Sequence, residues 1–253
     1  MRALRKTGAV MKSKLIIRSF SSVGIILIAG LPASILAQES LDSFSEIVVT
    51  ATKRAENLQD VGIAINAYTG ERLELSAVQN SQDLQIIDPS LTFTTNTAFG
   101  QPYLRGVGSE LFTPGAESSV AIFENEVYLS RTVSTFQDFF DIEQVTILKG
   151  PQGVLFGRNA VGGVINITTK KPTDEQEAKL QLSYGNFNNF RVDGVVNTPL
   201  LKNKGRLRLA GLYNNRNGFT RNVETGNDLD DANNLALRGT LDLDISDLSL
   251  IHI

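Results

Sequence analysis

The sequence predicts an exported chain in which a mixed α/β domain precedes a run of antiparallel strands. Three observations carry this reading. The N-terminus is basic and then apolar, the middle is punctuated by glycine and mixes helical with extended spacing, and residues beyond 178 alternate with a two-residue period.

The N-terminus comes first. Arg2, Arg5, Lys6, Lys12, Lys14 and Arg18 all precede the first acid, Glu39. An uncharged run over Val23–Leu31 leads into the small-residue stretch Pro32-Ala33-Ser34-Ile35-Leu36-Ala37. A positive segment, a short apolar segment and a small residue at the cut read as a signal peptide over 1–37, starting at Met1 or Met11. The apolar run is shorter than the ~20 residues that a spanning helix needs. Removing 1–37 takes six of the 24 Lys+Arg and none of the 27 Asp+Glu, leaving 18 basic residues and a net charge of −9. Nucleic acid, which calls for a basic surface, is not an expected partner.

Residues 38–57 read as a polar, flexible lead ending in a β-prone segment, Glu46-Ile47-Val48-Val49-Thr50-Ala51-Thr52. β-Branched residues favour extended backbone. Such a segment near a free end suits either addition to another protein's sheet edge or service as the domain's own first strand.

Residues 58–171 read as the mixed domain. Gly62–Tyr68 suits a strand, Glu71–Val78 and Ser81–Ile87 have helical spacing, and Ser81 is placed as the N-cap of the second helix. Asp88-Pro89 ends that helix. Leu91–Thr94 is a short strand, Asn96–Pro102 a polar loop, and further strands are expected at Val120–Phe123, Val145–Lys149 and Val164–Thr169. Glycine groups at 106–108, 150–153 and 157–163 mark turns or close backbone approach. None has the spacing of a phosphate loop or a dinucleotide fingerprint.

In residues 172–253, Leu180, Leu182 and Tyr184 alternate with Lys179, Gln181 and Ser183. The same period runs through 190–197, 206–214 and 235–245, and a fifth strand is expected near Leu248. Short and long connections alternate as well, with 200–205 short and 218–234 long and polar. By periodicity alone this is either the wall of a membrane barrel or a half-buried soluble meander.

Four blocks in this order resemble the TonB-dependent outer-membrane receptors. They are EIVVTATKR at 46–54, LRGVG at 104–108, VAIFENEVYLSR at 120–131 and DIEQVTILKGPQGVLFGRNAVGGVINITTKKP at 141–172. The resemblance implies an α+β plug domain followed by the first strands of an antiparallel transmembrane β-barrel. Glu46, Ile47, Val48, Val49, Thr50, Ala51 and Thr52 would then bind the C-terminal domain of TonB, energised by an inner-membrane proton-driven motor. Phe99, Gln101, Arg131 and Thr132 would face the substrate, a small molecule or metal chelate such as a ferric siderophore. Arg105, Lys149 and Arg158 would contact inward-facing barrel carboxylates. The implied location is the outer membrane of a Gram-negative bacterium, with lipid around a complete barrel. The Glu124-Asn125-Glu126 turn departs from the Asp/Gly turn common in that family.

Plugged barrels of this class have about 22 strands, on the order of 380 residues at the local ~17 per strand. Only 82 residues follow Lys171. The expectation is therefore an N-terminal portion that does not transport alone; the alternative is a free-standing, plug-like periplasmic module that binds TonB.

Enzymatic chemistry has little to use. The one histidine, His252, lies next to the last residue and there is no cysteine, so neither a Ser-His-Asp triad nor a His/Cys metal site is expected. Asp138 and Asp141 read as solvated or capping groups, and no cofactor is implied.

Overall fold

The computed structural model describes residues 48–49, 56–96, 99–109, 117–131, 135–200, 204–246 and 249–252. The expected signal peptide over 1–37, Glu46, Ile47, residues 50–52 and Thr132 lie outside the described residues.

The first strands, β1 (Val48–Val49) and β2 (Glu56–Asn57), form a short antiparallel pair. The main sheet takes β3 (Ile65–Thr69), β6 (Val120–Glu124), β7 (Val127–Tyr128), β8 (Ile142–Lys149) and β9 (Gly163–Thr169) in the order β3-β8-β9-β6-β7. The β6/β9 pair is parallel and the others are antiparallel. Helices α1 (Gly70–Leu75) and α2 (Leu84–Ile87) and the hairpin β4 (Leu91–Asn96)/β5 (Phe99–Leu104) lie between β3 and β6, while α3 (Gly153–Phe156) links β8 to β9.

Unbroken apolar runs such as Val120-Ala121-Ile122-Phe123 follow from burial of the sheet on both faces. One face packs Val145, Ile147, Ile165 and Ile167 against Leu73, Leu84, Leu91 and Leu104. The other packs Leu148, Val164, Ala121 and Phe123 against Val49 and Ala160.

Three local expectations need correction. Ser81 does not cap α2, which starts only at Leu84; its hydroxyl donates to the Thr135 carbonyl and accepts the Gln137 N–H. The segment 96–102 is largely strand, because β5 pairs with β4 and sets Pro102 opposite Phe93. A two-stranded ribbon leaves one side of each strand unpaired, which accommodates a proline. The strand expected at Gly62 begins at Ile65. The departing turn keeps its shape, since Asn125 and Glu126 take φ values of 47° and 69°, as a tight hairpin turn requires. Asn125 also bonds Thr169 through its side chain.

A buried polar network ties β3 and β8 to the end of α2. Asp88, with a side chain 0% exposed, accepts from Lys149 at 3.3 Å, Asn66 at 2.8 Å and the Ser90 hydroxyl at 2.6 Å. Burial pushes its carboxyl upward, but the bonds from Ser90 and Asn66 and the charge of Lys149 outweigh this and hold it below the ordinary 3.8.

The second sheet runs β10 (Glu177–Gly185), β11 (Asn189–Leu200), β12 (Gly205–Arg216), β15 (Ala232–Ser246) and β16 (Ser249–His252), all antiparallel. The hairpin β13 (Thr220–Arg221)/β14 (Asp228–Leu229) stands in the long connection before β15. The alternation seen in the sequence divides the two faces. Leu180, Leu182, Tyr184, Leu235 and Leu237 are exposed on one, and Arg191, Asn197, Arg208 and Asp242 are buried on the other.

Two stability outcomes follow. Gly163 has φ +148°, and an added Cβ would strike the Leu148 carbonyl oxygen and the Leu104 side chain. Gly163→Ala is expected to lower the denaturant-derived unfolding free energy by about 1–3 kcal/mol, whereas Gly153→Ala, with nothing near its added Cβ, should not. Asp88→Asn strips a buried cation of its partner and should cost about 3–5 kcal/mol at neutral pH. A depressed folded-state pKa gives stability that is present above 3.8 and is lost as pH falls through the lower folded value. The substitution should flatten the acid limb of a stability-versus-pH curve.

Candidate functional site: the seam between the mixed domain and the strand wall

The two described residues of the candidate coupling segment, Val48 and Val49, are seated on the mixed domain. Val49 is 0% exposed within the second core cluster, while Val48 is 54% exposed. The pair registers Val48 with Asn57 and Val49 with Glu56, and the Gln144 side chain reaches the Val48 carbonyl at 3.4 Å.

The loops expected to face substrate are brought side by side. Thr135 Oγ1 donates to the Gly100 carbonyl at 2.6 Å, joining the β4/β5 hairpin to the segment after Arg131. Gly100 is required there, since an added Cβ would meet the Phe136 ring. Arg131 is exposed and Phe99 opens β5. Gln101 is only 1% exposed, covered like its neighbours Gly100 and Pro102.

The expected contacts with the wall have the opposite polarity. Lys149 is bound to Asp88 inside the mixed domain, and the exposed Arg158 reaches Glu117 at 3.4 Å in the same domain. Arg105 is exposed at a left-handed turn, φ 52°. Among the described residues, it is cations of the wall, three arginines and Lys179, that meet carboxylates and carbonyls of the mixed domain.

The three arginines, on three adjacent strands, converge on Phe139-Phe140-Asp141. Arg208 on β12 grips Asp141 through Nε at 2.7 Å and Nη2 at 2.6 Å, and both side chains are 3% exposed. Its Nη1 donates to Glu177 at 2.9 Å. Arg191 on β11 donates from Nη2 to the Phe139 carbonyl at 2.6 Å while Nε and Nη2 hold Asp193. Arg238 on β15 donates to the Phe140 carbonyl at 2.6 Å and stacks 4.4 Å over the Phe140 ring. Register explains the convergence. Arg208 stands opposite Thr240, Arg238 opposite Ala210 and Arg191 opposite Asn214, so all three project from one face.

The target segment is shaped to receive them. Asp141 takes φ +53°, and its carbonyl accepts the Lys170 N–H at 3.0 Å, turning the chain sharply into β8. The neighbouring Asp138 accepts from Asn234 at 2.8 Å, and burial pushes its carboxyl upward against the opposing pull of Arg191. Bidentate arginine–carboxylate pairing supplies direction as well as energy. Truncating one partner of a buried pair typically costs about 3–5 kcal/mol, although the intact pair contributes less than that to net stability.

Toward β10 the seam is looser. Lys179 binds Glu74 at 2.8 Å with side chains 42% and 54% exposed. Behind this pair lies a cavity of about 250 Å³, bounded by α1 and the segment 139–142 on one side and by β10, β11 and β12 on the other. Arg191 lines it, and its buried Nη1 has no hydrogen-bond partner among the described residues.

Sequence reasoning missed the wall arginines as site residues. A signal was present: Arg191, Arg206, Arg208 and Arg238 all fall on the polar phase of the alternation, an excess of cation on a face that must meet something. Among the described residues no group of His, Cys, Asp and Glu is arranged to hold a metal.

The comparisons with known proteins come to the same architecture. Residues 57–164 match the family model described as TonB-dependent Receptor Plug Domain. The pesticin receptor of Yersinia pestis is 30% identical over 175 residues, which are 67% of this chain and 25% of that protein. The ferripyoverdine receptor of Pseudomonas aeruginosa is 26% identical over 179 residues, 70% of this chain and 22% of that protein. The chain thus spans about a quarter of the length of these curated relatives. Among solved structures, the ferric yersiniabactin uptake receptor FyuA from Yersinia pestis aligns with a TM-score of 0.63 at 25% identity, covering 72% of this chain and 28% of that one. The ferripyoverdine receptor bound to ferripyoverdine aligns at 0.69 with 21% identity, covering 81% and 26%, a likeness of fold alone. Domain, relatives and fold agree: this chain carries the plug domain of a TonB-dependent receptor, followed by antiparallel wall strands.

Proposed function

We propose that the chain is the plug-bearing, N-terminal part of a Gram-negative outer-membrane receptor for active uptake of a scarce metal chelate, such as a ferric siderophore. One observation carries the reading: the plug is gripped by the polar face of a sheet whose other face is apolar and exposed. That division suits a wall between a filled lumen and lipid. It also weighs against a free-standing periplasmic module, which gains nothing from an exposed apolar face. The names of the relatives point to siderophore receptors, and this supports the cargo class. The five wall strands leave sheet edges that lipid cannot satisfy, so we read these 253 residues as not transporting alone.

In this reading Glu46–Thr52 is the handle, and TonB takes it by backbone pairing along a sheet edge. Val49 is stowed in the plug, so complete pairing requires it to leave its pocket. Phe99, Arg131 and Thr132 face the cargo from the hairpin and loop that Thr135 pins together, while Gln101 supports them from beneath. The wall arginines hold the plug in the lumen against outward loss of cargo.

Capture of purified TonB C-terminal domain by the full chain tests the coupling. Val49→Pro removes a ladder N–H and should abolish capture. Val49→Ala weakens only the seat and should leave capture equal or tighter. Equal loss in both variants, or no capture by the unmodified chain, contradicts the reading.

A further inference from the structure

The long connection between β12 and β15 is fastened at its root. The Asn217 N–H donates to the Phe187 carbonyl at 2.8 Å, tying this connection to the turn between β10 and β11. Phe219 stacks on Phe187 with ring centroids 5.9 Å apart, and Arg216 lies 5.1 Å from the centroid of the Phe219 ring. Gly218 packs on the backbone of Leu229 in β14, where an added Cβ would strike the Leu229 carbonyl oxygen. Such close approach calls for glycine.

That packing places a glycine directly after an asparagine, and Asn217-Gly218 is the one Asn-Gly step in the sequence. Asparagine is among the thermolabile residues. Its side-chain carbonyl carbon can be attacked by the next backbone nitrogen, which is least hindered when the following residue lacks a Cβ. A backbone held rigidly resists the ring closure, so the fold decides which steps react. Asn217 is exposed, and among the described residues neither its side chain nor the Gly218 N–H has a hydrogen-bond partner. The chain's one Asp-Gly step is the opposite case. The Asp193 carboxylate is held by Arg191 Nε and Nη2 at 2.8 Å each, and Gly194 is paired on both sides within β11.

We propose that Asn217-Gly218 is a site of spontaneous covalent modification, at which the folded chain converts to aspartate and isoaspartate without an enzyme. This holds whether or not the chain takes part in uptake. The Gly218 nitrogen attacks Cγ of Asn217, the N–Cγ bond forms, the Cγ–Nδ2 bond breaks, and ammonia leaves with the Gly218 proton. Water then opens the cyclic imide. Opening at the former side-chain carbonyl gives aspartate, and opening at the backbone carbonyl gives isoaspartate. Either product adds a carboxylate to a connection that already carries Glu224, Asp228, Asp230 and Asp231. Isoaspartate also routes the chain through the former side chain, adding one backbone atom between the Phe187 tie and Gly218. Gly218 then cannot keep its seat on Leu229 while Phe219 keeps its ring against Phe187, so the β13/β14 hairpin loosens.

The folded full chain in detergent is held for several days at neutral and at mildly alkaline pH, with a denatured sample alongside. Peptide mapping by mass spectrometry follows the loss of the amide, and an isoaspartyl methyltransferase with a labelled methyl donor reports isoaspartate. The Asn217 peptide should convert in the folded chain, several-fold faster at the alkaline pH, because the attacking nitrogen must lose its proton. Position 193 should form isoaspartate only in the denatured sample. Asn217→Gln should abolish the conversion. A broad-specificity protease should cut within 219–229 several-fold faster in the aged protein than in fresh protein, with no such rise in aged Asn217→Gln. Asn217 that stays intact in the folded chain, or isoaspartate at 193 matching that at 217, overturns the proposal. Conversion without faster cleavage overturns the loosening of the hairpin.

Discussion

The structure depends on one contact, the fork of Arg208 closed on Asp141. Both side chains are almost fully withdrawn from solvent, and two short bonds fix their relative orientation. An isolated buried charge is prohibitive in either surface, so each requires the other. The contact fixes where β12 stands relative to the start of β8, and the arginines on β11 and β15 read the two carbonyls just before it. Under the uptake reading proposed above, a plug that stays in a lumen and later moves is suited by attachment of this kind. Directed polar bonds can be exchanged for water one at a time, whereas a continuous apolar interface would have to be opened all at once.

The sequence displayed the regular parts of the fold clearly. β-Strand alternation in 177–200, 205–216 and 232–246 told which residues share the apolar face and which the polar face, because a period of two leaves no other choice. The buried strand β6 announced itself as an unbroken apolar run, and β8 and β9 as apolar stretches broken by Thr146 and Asn166. Less legible were features set by distant partners. Ser81 has the composition of a cap, but Thr135 and Gln137 claim its hydroxyl from more than fifty positions away. Residues 99–102 have the composition of a loop, yet pairing with β4 makes them strand.

The site divided along the same line. The bond from Thr135 to the Gly100 carbonyl, which ties β5 to the segment after Arg131, has no local signal in the sequence because its partners lie 35 positions apart. The polarity of the seam was not readable. Lys149 and Arg158 sit beside glycine turns and look free in sequence, but Asp88 and Glu117 lie within the same domain and take them first. Asp141 looked like a solvated or capping acid because its partner lies 67 residues further along, on a strand whose inward phase alone does not say what it meets.

These constraints separate holding from pulling. Val49, in the segment proposed as the handle, sits over one face of the plug sheet, in the cluster with Leu148 and Val164. The clamp grips the turn entering β8, beside the cluster that contains Phe139 and Ile142. β8, the strand paired with both β3 and β9, spans the two, with Leu148 in the first cluster and Ile142 in the second. The measurement that tests the clamp most directly is a double-mutant cycle on unfolding free energy in detergent, combining Arg208→Met with Asp141→Asn. The account predicts a coupling of about 1–3 kcal/mol for this pair, and none between Arg158→Met and Asp141→Asn. Strict additivity of Arg208→Met and Asp141→Asn would contradict it.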